Sequence, residues 1–461
     1  MSRNYIEKYG LYFNIEDIIF YDSDYLYIDI FLLRTSQIHT VNDVANFKRK
    51  LLQWSQGFEE VLWLDSNDFP QEYSSYDTIL AVDAFTSLIT DYHGAFDNLK
   101  KYQTSTKDWL FGYLSYDLKN DVEDLSSNNY DRLEFPDLFF FQPKKIFLIK
   151  GNDVEMLYLN MVEEEISIDF HLISQFNEPS NERNNNSLKI KLRIHKDEYF
   201  NKLDIMLAHI HRGDIYEANF CQEFYCENAT VDPLQTYDHL NAISKPPFAT
   251  FLKLDDKYLL SATPERFIKK VGTTVMSQPI KGTAVRLSNG MADRAMAKAL
   301  AEDEKERSEN IIIVDLVRND LSKTAKKGSV QVKELCKVYS FEQVHQMIST
   351  ILSEVKEDLS PVEILRTTFP MGSMTGAPKI SAMQIIEELE ETKRGLYSGA
   401  VGYFTPEGDF DFNVVIRSIL YNETKKYVSF SVGGAITAKS DPLKEYEECL
   451  IKAKAMREAL G

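Results

Sequence analysis

Residues that could act on a small molecule lie in the second half of the chain. Lys281 stands in the segment SQPIKGTAVR, residues 277–286. The segment before it predicts a strand hairpin that turns at Gly272, and the segment after it predicts a helix. A lysine that only meets water does not need Pro279 behind it and Gly282 in front of it. We therefore predict a functional role for Lys281.

Two pairs of glutamates have the spacing of metal ligands on helices. Glu306 and Glu309 lie in KERSEN, and Glu445 and Glu448 lie in EYEECL. Residues three apart share one face of a helix, and Mg²⁺ prefers oxygen ligands. The alternative interpretation is a solvated helix face, because glutamate is usually exposed.

Glycine-rich stretches mark two further places where a ligand could approach the backbone. The loop FPMGSMTGAPK contains Ser373 and leads into a helix, whose first N–H groups can hold an anion. Gly433 and Gly434 lie in SVGGAI. An ordinary loop and a β-bulge are the alternatives.

Three isolated polar residues complete the set of candidates. Arg417 lies in FNVVIRSIL, which predicts an apolar strand, so its charge needs a partner such as a carboxylate. Glu265 follows a proline in SATPERF and precedes Lys281 by sixteen residues, so the acid and the amine could face one site. His345 lies beside apolar residues, where a structural histidine is the alternative.

The elements that must position these residues predict an α+β fold with large, mainly antiparallel sheets. Strands are predicted in the first part of the chain at SDYLYIDIFLL, EEVLWLD, WLFGYLSYDL and DLFFFQPKKIFLI. A polar loop or linker is predicted at 174–189, between an N-terminal region at 1–173 and a catalytic region at 190–461. In the latter region we predict a helix closed by Gly213, a strand at EANFCQEFYCE, one long helical region at 292–323, two strands at 409–436 and a C-terminal helix capped by Asp441.

Composition excludes several classes of protein. The chain has 461 residues and a formal net charge of −19, which argues against nucleic-acid and anionic-membrane surfaces. No apolar run is long enough to span a membrane, and the N-terminus lacks a secretory signal. Four scattered cysteines do not form a disulfide framework, so a cytoplasmic location is expected. No glycine-rich nucleotide motif is present.

Many segments together resemble one family, the chorismate-utilising enzymes. The resemblance is dense over about residues 190–461 and weaker before them. Its motifs are GDIYEANFCQEF, SATPERF, PIKGTA, KERSENIIIVDLVRNDL, FPMGSMTGAPKISAM, RGLYSGAVGYF, FNVVIRSI and GGAITAKSDPLKEYEECLIKA. The resemblance implies two large antiparallel sheets packed as a sandwich with helices outside.

The resemblance also implies roles for the candidate residues. The four glutamates would hold Mg²⁺, which binds the ring carboxylate of chorismate. The enolpyruvyl carboxylate would meet an arginine and a tyrosine. Further substrate contacts would come from the two strand glycines and from positions near the ring. In this sequence the implied substrate contacts are Arg417, Tyr397, Gly433, Gly434, Ser373, His345 and Thr283.

The residue at position 281 distinguishes branches of the family. Pro-Ile-Lys-Gly-Thr resembles the members that put nitrogen on C4 of chorismate, whereas members that aminate C2 directly have alanine in place of the lysine. Lys281 would attack C2 while the C4 hydroxyl leaves with a proton from Glu265, and ammonia would then enter C4 and release the lysine. The attacking lysine must be neutral, so we expect burial or nearby cations to lower its pKa.

The sequence therefore predicts conversion of chorismate and ammonia to 4-amino-4-deoxychorismate in 4-aminobenzoate and folate synthesis. The alternatives are an anthranilate-forming member, an isochorismate- or salicylate-forming member, and a catalytically silent paralogue. None of the four cysteines has the setting of a glutaminase nucleophile. Ammonia would therefore come from a separate glutamine amidotransferase subunit, component II of an aminodeoxychorismate synthase.

Overall fold

A computed structural model describes residues 33–69, 75–176, 188–341 and 344–461. The predicted strand SDYLYIDIFLL and most of the predicted polar loop at 174–189 lie outside these residues. The strands are β1 Arg34–Thr40, β2 Glu60–Asp65, β3 Thr78–Thr90, β4 Leu110–Leu114, β5 Leu138–Lys150, β6 Asp153–Leu159, β7 Lys191–Leu192, β8 Glu217–Glu227, β9 Phe248–Leu254, β10 Lys257–Thr263, β11 Arg266–Val271, β12 Thr274–Gln278, β13 Ile280–Val285, β14 Gln331–Ser340, β15 Val344–Glu354, β16 Gly376–Ala377, β17 Ala400–Phe404, β18 Phe410–Val414, β19 Ser418–Asn422 and β20 Tyr427–Thr437. The helices are α1 Val44–Trp54, α2 Ala95–Thr106, α3 Lys119–Val122, α4 Glu165–Gln175, α5 Lys196–Arg212, α6 Pro233–Ser244, α7 Gly290–Glu302, α8 Glu304–Ser322, α9 Pro361–Thr368, α10 Lys379–Leu389 and α11 Pro442–Ala459.

The described strands form one continuous antiparallel sheet with two halves. The first half runs β1–β6–β5–β3–β2–β9–β10–β19–β20–β8. The long strands β3 and β5 continue into the second half, which runs from β5 through β4–β17–β18–β11–β12 to β15, and β15 also pairs with β13 and β14. Strands of the N-terminal region thus pair with strands of the C-terminal region, as β2 does with β9 and β4 with β17.

The two halves pack face to face, and helices cover the outside of the first half. Successive residues of β2 show the two sides: Leu62 lies in the core between the halves, together with Phe412 of β18. Trp63 points the other way, into a second core that includes Tyr199 of α5 and Ala453 of α11. This alternation follows from the period of two in a strand, and the arrangement confirms the predicted sandwich.

The predicted long helical region is two helices. Asp303 ends α7 and caps α8, because its carboxylate accepts a hydrogen bond from the N–H of Glu306 at 2.9 Å. The helix predictions at α5 and α11 are confirmed: Gly213 ends α5 with φ of 89°, and Asp441 accepts hydrogen bonds at the start of α11.

The predicted strand FNVVIRSIL is also interrupted. The chain leaves β18 at Val414 and enters β19 at Ser418, and Arg417 between them has φ of 49°. The prediction of a single strand was wrong because the chain here passes from pairing with β11 to pairing with β10. Within the described parts of the chain, no helix has the length and apolar character needed to cross a membrane.

Candidate active site

Lys281 is displayed by a bulge in β13. Ile280 pairs with Ile348 of β15 and Thr283 pairs with Gln346, so two residues of β13 oppose one residue of β15. A β-bulge of this kind re-aims a side chain. Gly282 follows with φ of 89°, a conformation that favours glycine. The bulge thus lies beside Gly282, one of the two residues that singled out Lys281 in the sequence.

The ammonium group of Lys281 lies against a buried carboxylate. Its Nζ is 3.2 Å from Oε1 of Glu217, and the two side chains are 11% and 2% exposed. Burial lowers the pKa of Lys281, but Glu217, Glu309 and Glu265 outweigh burial and leave that pKa above its ordinary value. The expectation of a lowered pKa was therefore wrong, because carboxylates and not cations surround the amine.

Glu265 lies at the point where the sheet changes partners. It connects β10, which pairs with β19, to β11, which pairs with β18. Arg417 lies in the facing connection between β18 and β19, and its carbonyl oxygen accepts a hydrogen bond from the N–H of Ala262 at 3.1 Å. The two interruptions therefore bring an acid and a guanidinium to one place in the sheet.

Burial raises the pKa of Glu265 to about 7. A hydrogen bond with Ser373 and the charge of Lys281 act in the opposite direction. The side chain of Glu265 is buried. A carboxyl with this pKa carries a proton in a large part of the molecules at neutral pH, as a general acid requires.

The two acidic pairs face each other from α8 and α11. Lys305 joins them, with its Nζ 3.7 Å from Oε1 of Glu309 and 3.5 Å from Oε1 of Glu445. Lys452 lies 2.8 Å from Oε1 of Glu448. Burial raises the pKa of Glu309 to about 7. Two helices thus supply carboxylates to one region, as their spacing predicted.

The donor set fits a hard divalent cation, although ammonium groups occupy part of the space. Oε1 of Glu309 is buried without a hydrogen-bond partner, which leaves it available as a ligand. Among the described residues, no three carboxylate, histidine or cysteine side chains are gathered closely enough to hold a metal ion as they stand. Lys305 and Lys452 neutralise the acidic groups in this arrangement, so a metal would displace them.

The two strand glycines have different reasons to be glycine. A Cβ on Gly433 would lie 2.3 Å from the carbonyl oxygen of Phe220 in the neighbouring strand β8, so the sheet itself requires glycine there. A Cβ on Gly434 would lie 3.2 Å from Oε2 of Glu445. Gly434 therefore borders the acidic region, whereas Gly433 serves close strand packing.

Arg417 is a half-buried cation. Burial lowers its pKa, and Glu265 partly offsets that effect. No hydrogen bond or ion pair joins its guanidinium to another described residue. The hydroxyl of Tyr397 is buried and lies 3.5 Å from Sγ of Cys221. An unpaired guanidinium suits a carboxylate ligand.

The remaining predicted contacts have varied surroundings. Ser373 lies in a short 3₁₀ helix, Gly372–Met374, beside Glu265. His345 is buried in β15, with Nε2 3.0 Å from Asp293 and Nδ1 2.8 Å from Ser340, so both ring nitrogens are engaged. Thr283 is exposed. The substrate contacts of His345 and Thr283 stay predictions.

The strand β8 contributes residues that the sequence analysis missed. Glu217 contacts Lys281, Asn219 donates a hydrogen bond from Nδ2 to the carbonyl oxygen of Ser373 at 3.1 Å, and Cys221 contacts Tyr397. These alternate residues share one face of the strand. The signal was the pattern EANFC, in which polar side chains alternate with Ala218 and Phe220.

A small pocket is lined in part by Glu265 and Ser373. Val317, Leu321 and Met371 supply apolar walls. Apolar side chains therefore border Glu265, which agrees with burial being the largest influence on its pKa.

The sandwich, the largely buried Lys281 and the facing acidic pairs define a class of protein. A family model for chorismate binding enzymes matches residues 59–458, and the chain belongs to that family.

The aminodeoxychorismate synthase of Streptomyces griseus is 42% identical over 266 residues, which cover 57% of this chain and 36% of that protein. The chain thus spans about a third of that relative's length. Aminodeoxychorismate synthase component 1 of Klebsiella aerogenes is 33% identical over 355 residues, or 74% of each chain. The crystal structure of anthranilate synthase component I from Streptococcus pneumoniae TIGR4 has the same fold, with a TM-score of 0.74 and 24% identity over 84% of this chain and 94% of that one.

Proposed function

We propose that this chain converts chorismate and ammonia to 4-amino-4-deoxychorismate, with Lys281 as a covalent nucleophile. The observation that carries the proposal is a largely buried amine that shares one site with a carboxyl whose pKa is about 7, that of Glu265. Direct addition of ammonia to C2 needs no lysine. The relatives from Streptomyces griseus and Klebsiella aerogenes are an aminodeoxychorismate synthase and a component 1 of such a synthase, which supports the same reaction.

In the proposed reaction, Arg417 and Tyr397 bind the enolpyruvyl carboxylate of chorismate. The guanidinium supplies the charge, and the tyrosine hydroxyl supplies a hydrogen bond. Glu306, Glu309, Glu445 and Glu448 would hold Mg²⁺, which when bound neutralises the ring carboxylate of the substrate.

Lys281 then acts as the nucleophile and Glu265 as the general acid. The neutral amine of Lys281 forms a bond to C2, both ring double bonds shift by one position, and the C4–O bond breaks as Glu265 donates its proton to the leaving hydroxyl. Ammonia adds to C4, the C2–N bond breaks, and the lysine is released. The ammonium formed on C4 returns one proton to Glu265, so the net products are the amine and water.

Ammonia comes, in this proposal, from glutamine hydrolysed by a separate amidotransferase subunit in the cytoplasm. A glutaminase needs a reactive thiolate. The four cysteines are free and buried, and burial raises the pKa of Cys221 to about 12. Burial also raises the pKa of Cys336 and of Cys449.

One experiment tests the reaction and the nucleophile together. Purified protein is incubated with chorismate and Mg²⁺, with and without ammonium at alkaline pH, and products are identified by chromatography. We expect 4-amino-4-deoxychorismate with ammonium, and without it a covalent adduct that peptide mass spectrometry places on Lys281. Lys281→Ala should abolish both. Anthranilate as the product, with no adduct, would instead support the anthranilate-forming alternative.

A further inference from the structure

We propose that Glu217 is a catalytic base, which accepts the proton that Lys281 must lose before it attacks and returns that proton when the lysine is released. The inference rests on the proposed covalent role of Lys281. It assigns to Glu217, on β8, a chemical step that neither Glu265 nor the acidic pairs are placed to perform.

The position of Glu217 is fixed by the sheet. As the first residue of β8, it pairs with Ala377 of β16 on one side and Thr437 of β20 on the other. The N–H of the preceding residue, Tyr216, donates to the carbonyl oxygen of Ala377 at 2.7 Å. The backbone of Glu217 is thus anchored on two sides, and from this position Oε1 of its carboxylate lies 3.2 Å from Nζ of Lys281.

The second oxygen of Glu217 is available for a proton. Oε2 is buried and has no hydrogen-bond partner, and burying an unpaired carboxylate oxygen is unfavourable. The carboxylate that contacts the ammonium of Lys281 through Oε1 therefore has a second oxygen, Oε2, that is not engaged by another hydrogen bond.

Other charged groups near Lys281 have different surroundings. Glu309 on α8 acts on Lys281 through its charge, but its Oε1 lies near Lys305. Glu265 carries the proton assigned to the leaving hydroxyl and is hydrogen-bonded with Ser373. Among the described residues, Glu217 is the carboxylate within ion-pair distance of Nζ.

The proton transfer balances over the cycle. The ammonium of Lys281 gives one proton to the carboxylate of Glu217, and the resulting amine forms the bond to C2. The adduct is then a secondary ammonium, and when its C2–N bond breaks the electron pair leaves with the lysine as a neutral amine. Glu217 returns its proton to that amine, which restores the ion pair for the next cycle.

The test compares Glu217→Gln with the wild-type protein in the rate of adduct formation from chorismate and Mg²⁺ without ammonia, measured by rapid quench and mass spectrometry. If Glu217 accepts the proton, the variant should form the adduct roughly 10²- to 10⁴-fold more slowly at pH 7. If Glu217 only stabilises the ammonium, its removal should free the amine and make adduct formation faster. The two roles thus predict opposite changes.

A second variant and a matched control distinguish loss of proton transfer from misfolding of the variant. Glu217→Ala should regain adduct formation when formate is added, because a small carboxylate can take the place of the lost side chain. Glu223→Gln removes another buried carboxyl of the same strand, one that pairs with Arg193 at 3.0 Å, and should leave the adduct rate unchanged. Chorismate binding by both position-217 variants should stay within a few-fold of wild type.

The outcomes separate this inference from the proposed function. An adduct that forms in the wild type and equally fast or faster in Glu217→Gln at pH 7 overturns the role of Glu217 alone. No adduct in the wild type removes the covalent role of Lys281, and the inference with it. Failure of formate to restore Glu217→Ala, in protein that still binds chorismate, also counts against proton transfer.

Discussion

Replacement of Glu265 by glutamine should make the protein more stable at alkaline pH while it removes the proposed general acid. Burial raises the pKa of this carboxyl from 4.5 to about 7. Because the pKa in the folded state exceeds that in the unfolded state, the stability contribution is complete below pH 4.5 and is lost as the pH rises through about 7. A shift of this size corresponds to roughly 3 kcal/mol of destabilisation above pH 8. Glutamine cannot ionise and avoids that loss.

The assay is denaturant unfolding of wild type and Glu265→Gln at pH 5 and pH 8.5. The stability of the variant relative to wild type should increase by roughly 2 to 3 kcal/mol between the two pH values, since part of the effect is already present at pH 5. Glu407 lies in an exposed turn, and Glu407→Gln should show no such change with pH.

Activity should change in the opposite direction. Glutamine cannot donate a proton to the leaving hydroxyl, so adduct formation should fall by roughly 10²- to 10⁴-fold. In the wild type, the proton-donating form of Glu265 decreases above about pH 7. A Glu265→Gln protein with wild-type pH dependence of stability would refute the argument that burial raises this pKa. A Glu265→Gln protein with full activity would refute the role as acid.

Four further outcomes follow from the site. Gly434→Ala places a methyl group 3.2 Å from Oε2 of Glu445 and should raise the Mg²⁺ concentration for half-maximal activity by roughly tenfold. An unchanged Mg²⁺ titration would contradict the metal assignment. Gly433→Ala should instead lower the yield of folded protein. Arg417→Lys should raise KM for chorismate by roughly 10- to 100-fold, the loss expected for a charged hydrogen bond, and an unchanged KM argues against carboxylate binding. Carbamylation of Lys281 by cyanate in the free protein should be slow at pH 7 and become faster as the pH rises, because the pKa of Lys281 lies above its ordinary value; fast labelling at pH 7 would show that the amine is already neutral. The purified chain should use ammonium but not glutamine, and efficient turnover with glutamine alone would reveal a missed glutaminase site.

Local signals in the sequence predicted most of the elements. Gly213 ended α5 and Asp441 capped α11 because each effect depends on residues within one turn. The break between α7 and α8 has a local signal too. Asp303 and Glu306 have the spacing of a capping box, but the surrounding residues favour helices so strongly that the run predicts a single helix.

The interruption at Arg417 had no local signal. The residues from 412 to 420 are those of an apolar strand, and a non-glycine residue with positive φ is uncommon. What interrupts the strand is the change of neighbours, from β11 to β10, along the sheet. Such a change depends on pairing between segments that are more than a hundred residues apart.

The candidate site, like the fold, has features that local sequence predicts and features that depend on residues distant in the chain. Residue type and helical spacing were sufficient to select the acidic pairs, and the acid and the amine were selected from their positions around a predicted hairpin. The sign of the pKa shift of Lys281 was not predictable, since burial lowers the pKa and carboxylates raise it. Which effect is larger depends on Glu217, Glu309 and Glu265, and these residues come from β8, α8 and the β10–β11 connection.

The direction of the pKa shift of Lys281 determines how the neutral nucleophile has to be generated. A lysine with a lowered pKa is neutral before substrate arrives and needs no proton acceptor. The pKa of Lys281 is raised, so almost every molecule at neutral pH holds an ammonium group, which cannot attack C2. The proton must therefore leave during the reaction, and in an enclosed site it must move to a group already in contact. Glu217 supplies that contact, so the residue that opposes a neutral amine in the resting protein is also the one placed to produce it.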